Sequence, residues 1–526
     1  MITTLFALLL ILAVLCACAT VAAADDSKAE TVSSVSDVSV SDSDTDSEDD
    51  EITGRILLQD GASTSDSKNV SINGDLITVN EAGTYLVSGS LGNGQIRIDT
   101  DKESKVKLIL DGVDVSNSSS AAIYVVSADK LVVSLADGST NTLCSTGSFV
   151  QTDDNNVDAA VFSKDDLTIS GGGTLTVSSS EGHGIVCKND LKIKNGRITI
   201  SAMNKGISAN DSITFDGGEV SIVSGDDAVN CEGEVTVNAG LLSLSTEDDG
   251  IHADVSLTVC GGTIDITESH EGLEANDILI SGGTVSIVSE DDGINAAGGR
   301  DGSGGDGFLG FMGDTPLNET GSTLSVTGGS VTINAQGDGL DANGDLLISG
   351  GTIYISGPTA SGNGAMDFTS GSISGGTLIA AGSSGMAVNF GGGSTQGSIL
   401  YHFSGTIPAG TEVSLKDADG KTIAAFTPEK SFQSVVISCP NIEQGAEYML
   451  TAGSQSAEIT MSSLIYGSGN AAGMGGMGRE GLVPNNGGMP YGNGERPVNE
   501  AEGSFPQHGY GPGGRGQGGP GFAPRG

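Results

Sequence analysis

Short runs of alternating apolar and polar residues recur through the middle of the chain. In each run the apolar positions are Leu, Ile or Val two residues apart, as in Val220 and Ile222 or Val285 and Ile287. This alternation is typical of β-strands with one buried face. A glycine-containing turn precedes each run, so the pattern predicts short strands joined by tight turns and argues against a helical repeat.

The runs recur with a nearly constant period. Successive spacings between the last glycines of the turns are 23, 22, 22, 22 and 21 residues, then 46, 22 and 25. The spacing of 46 contains an insertion at residues 300–320, which is either a functional loop or a tolerated surface insertion. A 22-residue unit fits three short strands, whereas a propeller blade needs about twice that length. The chain is therefore predicted to be all-β, with the repeats stacked as coils of a parallel β-helix. The glycines are Gly173, Gly196, Gly218, Gly240, Gly262, Gly283, Gly329, Gly351 and Gly376.

Composition divides the chain into five segments. Only the middle segments combine regular alternation with turn residues, and the flanking ones are too polar or too low in complexity to order themselves. The predicted segments are a signal peptide at 1–24, an acidic Ser/Asp-rich disordered linker at 25–53, the β-helix at 54–400, a small C-terminal β cap or module at 401–466, and a Gly/Met/Pro-rich disordered tail at 467–526.

The N-terminal segment predicts export. One apolar run ends in small residues before Asp25, which is typical of a secretory signal and predicts an extracellular or cell-surface protein. The sequence Leu15-Cys16-Ala17-Cys18 also resembles a bacterial lipoprotein box, which would attach a lipid at Cys18. Cleavage after Ala24 is the simpler expectation, and we expect the mature protein to be a monomer.

The charge balance limits the partners. The chain has 67 acidic and 22 basic residues and a formal net charge of -45. Nucleic acids and anionic membranes are poor partners for such a surface, because phosphate binding needs clustered Lys and Arg. A cation such as calcium, or a cationic partner, suits it better.

The cysteines predict neither disulfides nor zinc. Cys187 and Cys231 hold the same repeat position two coils apart, with Ala209 between them. At about 4.8 Å per coil their sulfurs are roughly 10 Å apart, too far to bond. They are predicted to be small inward-facing residues, and the absence of a C-x-x-C spacing argues against zinc.

Three columns of polar residues mark one turn of the repeat. In the middle coils all three become acidic or amide together, and no packing requirement is evident from the sequence. The first column holds Gly182, Asn204, Asp226, Asp248, His270, Asp291 and Gly337; the second holds His183, Lys205, Asp227, Asp249, Glu271, Asp292 and Asp338; the third holds Val186, Ser208, Asn230, His252, Glu274, Asn295 and Asp341.

Stacked carboxylates predict a cation between the coils. At the coil spacing they repel by roughly 1 kcal/mol per pair even in water. Calcium would offset this, because it takes six to eight hard oxygen ligands in flexible geometry. Two simpler hypotheses are a solvated acidic edge and a calcium site that only rigidifies the coils.

The acidic turns resemble those of a known protein family. The repeats follow [ED]-D-[DG]-[GA]-[IVL]-x-[AC]-[ND], and with GTYLVSGSLGNGQIRI and FTPEKSFQSVVIS they resemble the carbohydrate-binding β-helix proteins of clostridial cell surfaces, over roughly residues 55–466. The resemblance implies a right-handed parallel β-helix, bound calcium, affinity for acidic plant polysaccharide such as polygalacturonate, and a likeness to family-nine pectate lyases.

The resemblance also implies a ligand set. The lyase-like Asp-Asp-Gly-x-Asp turn is matched incompletely, because Ala228 replaces its glycine in one coil, His252 replaces an acid in another, and Glu271 with Glu274 lengthen both arms in a third. The metal ligands predicted from the columns and the resemblance are Asp226, Asp227, Asn230, Asp248, Asp249, Glu271, Asp291, Asp292, Asn295, Asp338 and Asp341.

Three functions share this predicted fold. The first is calcium-bridged binding of an acidic polysaccharide, with Lys205, His252, Glu271 and Glu274 as substrate contacts. The second is a polysaccharide lyase in which Lys205 removes the proton α to a uronate carboxylate, although a Lys in an acidic column is more often a neutralising ion pair. The third is a structural surface protein or adhesin.

Overall fold

The computed structural model describes residues 51–297 and 321–467. The predicted signal peptide with Cys18, nearly all of the linker, the insertion at 300–320 and all but the first residue of the predicted tail lie outside the described residues.

The described residues form an all-β solenoid of about 12 stacked coils, which confirms the predicted parallel β-helix. Each regular coil contributes one strand to each of three faces, and equivalent strands of successive coils pair in parallel. The described part of the chain contains no helix long and apolar enough to cross a membrane.

Face 1 carries the longest regular strands. Its strands are Thr140–Ser145, Thr174–Ser179, Arg197–Ala202, Glu219–Ser224, Leu241–Thr246, Thr263–Glu268, Thr284–Ser289, Ser330–Ala335, Thr352–Ser356 and Thr377–Gly382.

Face 2 follows the acidic turn. Its strands are Leu76–Val79, Gln95–Asp99, Ile123–Ser127, Ala159–Ser163, His183–Cys187, Ile207–Ala209, Val229–Cys231 and Ile294–Ala296. Four further strands begin on face 2 and continue into face 3: Ile251–Val259, Leu273–Ile280, Leu340–Ile348 and Met366–Ile373.

Face 3 completes each coil. Its strands are Lys130–Leu135, Asp166–Gly171, Asp190–Ile193, Ser212–Phe215, Glu234–Val237 and Thr323–Val326. Near the N-terminus three long strands, Ile52–Leu58, Gly83–Leu91 and Lys105–Asn117, run from face 3 into face 1. Two short strands pair antiparallel with their neighbours: Thr64–Ser65 with Ile52–Leu58, and Val70–Asn73 with Leu76–Val79 of face 2.

The core is a set of continuous side-chain columns inside the coils. Because side chains alternate along each strand, the Leu, Ile and Val positions point inward and stack from coil to coil. For example, Ile200 is in register with Ile222, and Ile222 with Leu244, all of them buried. Cys187 and Cys231 are buried free thiols in register with Ala209, as predicted.

The turn glycines are required by backbone conformation. Gly218, Gly240, Gly262 and their counterparts have positive φ angles of 77° to 103°, a region that side chains disfavour. In the first regular coil the left-handed residue is Gly171, with φ of 100°, two residues before the last glycine of that turn. The extra residue in the first spacing of 23 lies in the following turn, because Ser179 pairs with Ala202 whereas Ile185 pairs with Ile207.

The C-terminal residues form antiparallel strands against the last coils. Ser398–Ile407 pairs with Phe432–Ser438, which also pairs with Thr377–Gly382 of face 1, and Ile465–Tyr466 joins Ser398–Ile407 in parallel. A separate four-stranded sheet shares a second hydrophobic core with these strands. Its strands are Val413–Lys416, Thr422–Phe426, Glu447–Ala452 and Gln455–Thr460.

Candidate functional site

The turn from face 1 to face 2 stacks the predicted polar columns into a ladder. The backbone N–H groups of Gly206 and Ala228 donate to the carbonyls of Asp227 and Asp249, each at 2.9 Å, and the same pattern continues along the edge. The third column lies in strand register along face 2. We call the three columns from Asn204 to Asp341 the acidic ladder.

Second-column aspartates have a structural role that the sequence did not reveal. The backbone N–H of Asp249 donates to Asp227 Oδ1 (3.2 Å), that of Asp338 to Asp292 Oδ1 (2.6 Å), and that of Gly364 to Asp338 Oδ1 (2.5 Å). One carboxylate oxygen of each aspartate therefore ties its coil to the next. The expectation that packing does not explain the acidic columns is wrong for these residues.

Lys205 neutralises the N-terminal end of the ladder. Its ammonium forms an ion pair with Asp227 and lies 3.5 Å from Asp226 Oδ1. Asn230 Nδ2 donates to Asp227 Oδ2 at 3.1 Å. Burial alone would lower the pKa of Lys205, but the two carboxylates raise it above its ordinary value. We call Lys205, Asp226, Asp227 and Asn230 the Lys205 cluster.

His252 neutralises the middle of the ladder. Its Nδ1 lies 2.5 Å from Glu274 Oε2 and 3.3 Å from Asp249 Oδ2, and its Nε2 lies 3.0 Å from Asp254 Oδ1. Burial would lower the pKa of His252, but its hydrogen bonds to the carboxylates raise it to about 11. The imidazolium is thus a fixed cation in what we call the His252 cluster: Asp249, His252, Asp254 and Glu274.

The next coils have no comparable ion pair among the described residues, although His270 lies nearby. Glu271 and Asp292 form no ion pair with a described Lys, Arg or His within 4.0 Å. Burial, and then neighbouring carboxylates, raise the pKa of Glu271 to about 9. Burial also raises the pKa of Asp292 to about 6. We call Glu271, Asp291, Asp292 and Asn295 the Glu271 cluster.

Oxygen atoms converge in the Glu271 cluster. Glu271, Asp291 and His270 offer ligand atoms within 4.8 Å of one another. The carboxylates of Asp291 and Asp292 face a common point above Gly337, where an added Cβ would meet their Oδ1 atoms at 2.3 and 2.2 Å. Glycine at position 337 therefore leaves open the space toward which both carboxylates point.

Asn295 contributes an oxygen that lacks a partner. Its Nδ2 donates to Glu271 Oε2 at 2.9 Å, while its buried Oδ1 accepts no hydrogen bond from any described residue. Buried amide oxygens are nearly always satisfied. A cation beside Glu271 would satisfy this one.

The remaining predicted ligands flank these clusters. Asp248 offers an oxygen within 4.8 Å of Asp226 and Asp227 and also approaches His270. Asp338 is the next ladder position beyond Asp292, and burial raises its pKa to about 8. Asp341 is in register with Asn295 on face 2. The predicted ligands therefore share one edge but divide into clusters with different charge balance.

The four predicted substrate contacts differ in accessibility. Lys205 and Glu271 are half-buried, whereas His252 and Glu274 are buried and hydrogen-bonded to each other. Direct contact of His252 and Glu274 with a sugar is therefore incompatible with this arrangement, because neighbouring coils cover both side chains. His270, which was not among the predicted ligands, is exposed beside Asp248 and Asp291, and its place in the first column was the available signal.

Comparison with known proteins relates part of the chain to carbohydrate binding. Residues 73–314 match a family model described as carbohydrate-binding domain-containing protein. A protein of that description from Acetivibrio thermocellus is 37% identical over 155 residues, which are 29% of this chain and 54% of the relative. The chain thus spans about half the length of the curated relative it matches.

A solved structure is also similar in sequence. It is described as a polysaccharide lyase-like protein from C. thermocellum, in a gadolinium derivative. The match has 32% identity and a TM-score of 0.35, and it covers 47% of this chain and 92% of that chain.

Proposed function

We propose that this protein is a secreted or surface-attached carbohydrate-binding protein that holds acidic polysaccharide, such as polygalacturonate, through calcium bound at the acidic ladder. The match of residues 73–314 to a carbohydrate-binding domain family supports the ligand class. The observation that supports the calcium proposal most directly is the Glu271 cluster, where half-buried carboxylates meet a buried, unsatisfied amide oxygen and form no ion pair with a described Lys, Arg or His within 4.0 Å.

Charge balance favours the Glu271 cluster as the principal calcium site. Lys205 and His252 each place one cation against the carboxylates of the two preceding clusters, and the Glu271 cluster has no such ion pair among the described residues. Between Lys205 and Lys416 the sequence has one Lys or Arg, Arg300. Closely spaced, half-buried carboxylates without an ion-pair partner favour either proton uptake or the binding of a cation.

The donor set fits calcium. Glu271, Asp291 and Asp292 offer carboxylate oxygens, and Asn295 offers an amide oxygen, which are the hard ligands that calcium prefers. His270 lies at the edge of this set and is not required by it. A bound calcium would supply a positive charge at the protein surface.

That charge explains how an acidic protein binds an acidic glycan. Without a bridging cation the ladder would repel uronate carboxylates. The accessible part of the site is made by half-buried Lys205 and Glu271 and by exposed His270. Lys205 lies three coils before Glu271 and His270, so at about 4.8 Å per coil a polysaccharide lying along the ladder would meet the two positions roughly 14 Å apart.

A lyase reaction receives less support. A general base must be unprotonated before it accepts a proton, and for a Lys this means the neutral amine. The carboxylates of Asp226 and Asp227 hold Lys205 in its charged form by raising its pKa. We therefore rank the Lys205-based lyase second, and formation of unsaturated uronate by the pure protein would reverse that ranking.

Retention on immobilised polygalacturonate tests the proposal. The wild-type protein should be retained in calcium and released by a chelator. Glu271→Gln combined with Asp291→Asn should abolish retention, because this removes two carboxylate ligands. Asp265→Asn, on the outer surface of face 1 and outside the ladder, is the control and should be retained like wild type. If the wild-type protein is still retained on polygalacturonate in the presence of a chelator, the proposal is wrong.

A purely structural role for calcium would give a different experimental result. If calcium raises the melting temperature while no acidic glycan is retained, the ladder only rigidifies the coils. That outcome would leave the structural or adhesin hypothesis.

A further inference from the structure

Residues 146–158 form an irregular segment that crosses the outside of face 2; we call it the strap. It covers an outward-facing apolar cluster in which Tyr124, Phe162 and Val186 are buried against Val157, with Phe149 packed alongside. Over the rest of the regular coils this outward column is polar. The strap therefore belongs to one end of the column only.

The covered column and the ladder are the same column of the solenoid. Phe162 is in strand register with Tyr124 and with Val186, and Val186 with Ser208. From Ser208 the register continues to Asn230 and the rest of the ladder. An extended ligand following the ladder toward the N-terminus would thus run directly into the strap.

The strap is held by specific hydrogen bonds. Tyr124 Oη donates to Asp153 Oδ2 (2.7 Å), and Asn155 Nδ2 donates to Tyr124 Oη (2.5 Å). Gln151 and the backbone of Val157 exchange two hydrogen bonds of 2.8 Å across the strap. These contacts make it a fixed part of the surface.

At Gly182 the strap lies against the first column, and the ladder ends there. It holds the first-column position one coil before Asn204, and an added Cβ there would meet the Asp158 carbonyl oxygen at 2.2 Å and Phe149 Cε2 at 2.5 Å. The strap thus occupies the space that a first-column side chain fills in the following coils. Beside it, the backbone N–H of Lys205 donates to His183 Nδ1 at 3.2 Å.

We infer that the strap is an end wall of the polysaccharide site, so that the ladder binds the terminal portion of an acidic glycan chain and not an internal stretch. This inference rests on the proposed function. A chain lying along the ladder must stop at Gly182, with its last sugar near His183 and Lys205. The strap thereby determines specificity for chain ends without itself binding calcium.

Glycan length tests the end wall with the wild-type protein. Long polygalacturonate and its short fragments are compared in calcium at equal sugar mass, and the amount of protein bound at saturation is measured. We expect this amount to rise in proportion to the number of chain ends. If the amount of protein bound at saturation depends on sugar mass alone, the end wall is contradicted and the proposed function is not. If the protein binds neither the long nor the short glycan, both are contradicted.

A strap variant provides the second test. Gly182→Asn places a side chain where Phe149 and Asp158 now lie, so it should displace the strap and make saturation follow sugar mass. Gly393→Asn, at an exposed glycine where an added Cβ would only touch Ser372 at 3.5 Å, is the matched control and should keep the dependence on chain ends. The melting curve of the Gly182→Asn protein shows whether it is folded. If the folded variant still binds in proportion to the number of chain ends, the strap is not the end wall.

Discussion

At the scale of single residues, Lys205 and His252 hold cationic groups against the carboxylates of the ladder. Both side chains are half-buried or buried, and each contacts at least two acidic side chains. The columns that contain them could be predicted from the sequence. The ion pair of Lys205 was also expected from its column, whereas the pairing of His252 could not be predicted, because it depends on side-chain directions that a 22-residue spacing does not specify.

Lys205→Met should destabilise the calcium-free protein. Asp227 is buried and would lose its partner, and breaking such a pair costs about 3 kcal/mol. The free energy of unfolding in chelator measures the loss. Arg197→Met is the matched control, because Arg197 and Glu219 form an exposed pair whose loss should change stability by less than about 1 kcal/mol. Equal losses in the two variants would contradict the buried ion pair.

Asn295→Leu tests the unsatisfied amide oxygen. Leucine has a similar shape but no oxygen, so calcium affinity should fall about tenfold, which corresponds to about 1.4 kcal/mol. Calorimetric titration with calcium measures the change. Unaltered affinity would show that Asn295 Oδ1 is not a ligand.

At the scale of the repeat, the glycine spacing and the period-two pattern were sufficient to predict the coil. Inward positions such as Val220 and Ile222 are determined by alternation, and the turn glycines by their left-handed backbone. The strap could not be predicted, because residues 146–158 have no repeat periodicity. Likewise, the hydrogen bonds that Asp227, Asp292 and Asp338 accept from the backbone of the next coil appear only once the coils are stacked.

Substitutions at two glycines distinguish the stability cost of a strained backbone from the cost of a clash between stacked coils. Gly262 (φ 77°) and Gly420 (φ 82°) are both left-handed, but an added Cβ at Gly262 would meet the Gly240 carbonyl oxygen at 2.8 Å, whereas the space at Gly420 is open. Gly420→Ala should cost about 1–2 kcal/mol from conformation alone. Gly262→Ala should cost clearly more, as measured by denaturant unfolding. Equal costs would mean that the coils move apart without penalty.

The raised pKa values of carboxyl groups in the ladder predict that the stability of the folded protein depends on pH in an unusual way. Their pKa values in the folded protein are raised, to about 9 for Glu271 and about 8 for Asp338, above about 4 in the unfolded chain. The folded state therefore binds more protons, and in chelator its stability should fall as the pH rises from about 4 to about 9.

Melting temperatures measured across this range, with and without calcium, check the sign. Calcium should weaken the decline, because it replaces the protons on the carboxylates. A melting temperature in chelator that rises with pH would contradict the raised pKa values.

At the scale of the whole molecule, charge is distributed unevenly along the chain. Residues 97–205 contain 11 of the 22 Lys and Arg residues, whereas residues 206–297 contain none and carry 19 acidic residues. The fold brings the acidic turns of these coils onto one edge, and the strap closes that edge at the side where the basic residues begin. This arrangement makes the ladder an anionic edge, and under the proposed function it would need a cation in order to bind an anionic polymer.

The most direct measurement is a calorimetric calcium titration of the full chain and two variants that each remove two charges. If the Glu271 cluster is the principal site, Glu271→Gln with Asp291→Asn should abolish the tightest binding event. Asp226→Asn with Asp227→Asn should retain it, because Lys205 already neutralises that end of the ladder. Loss of tight binding in the Asp226 and Asp227 variant, with retention in the other, would contradict the account.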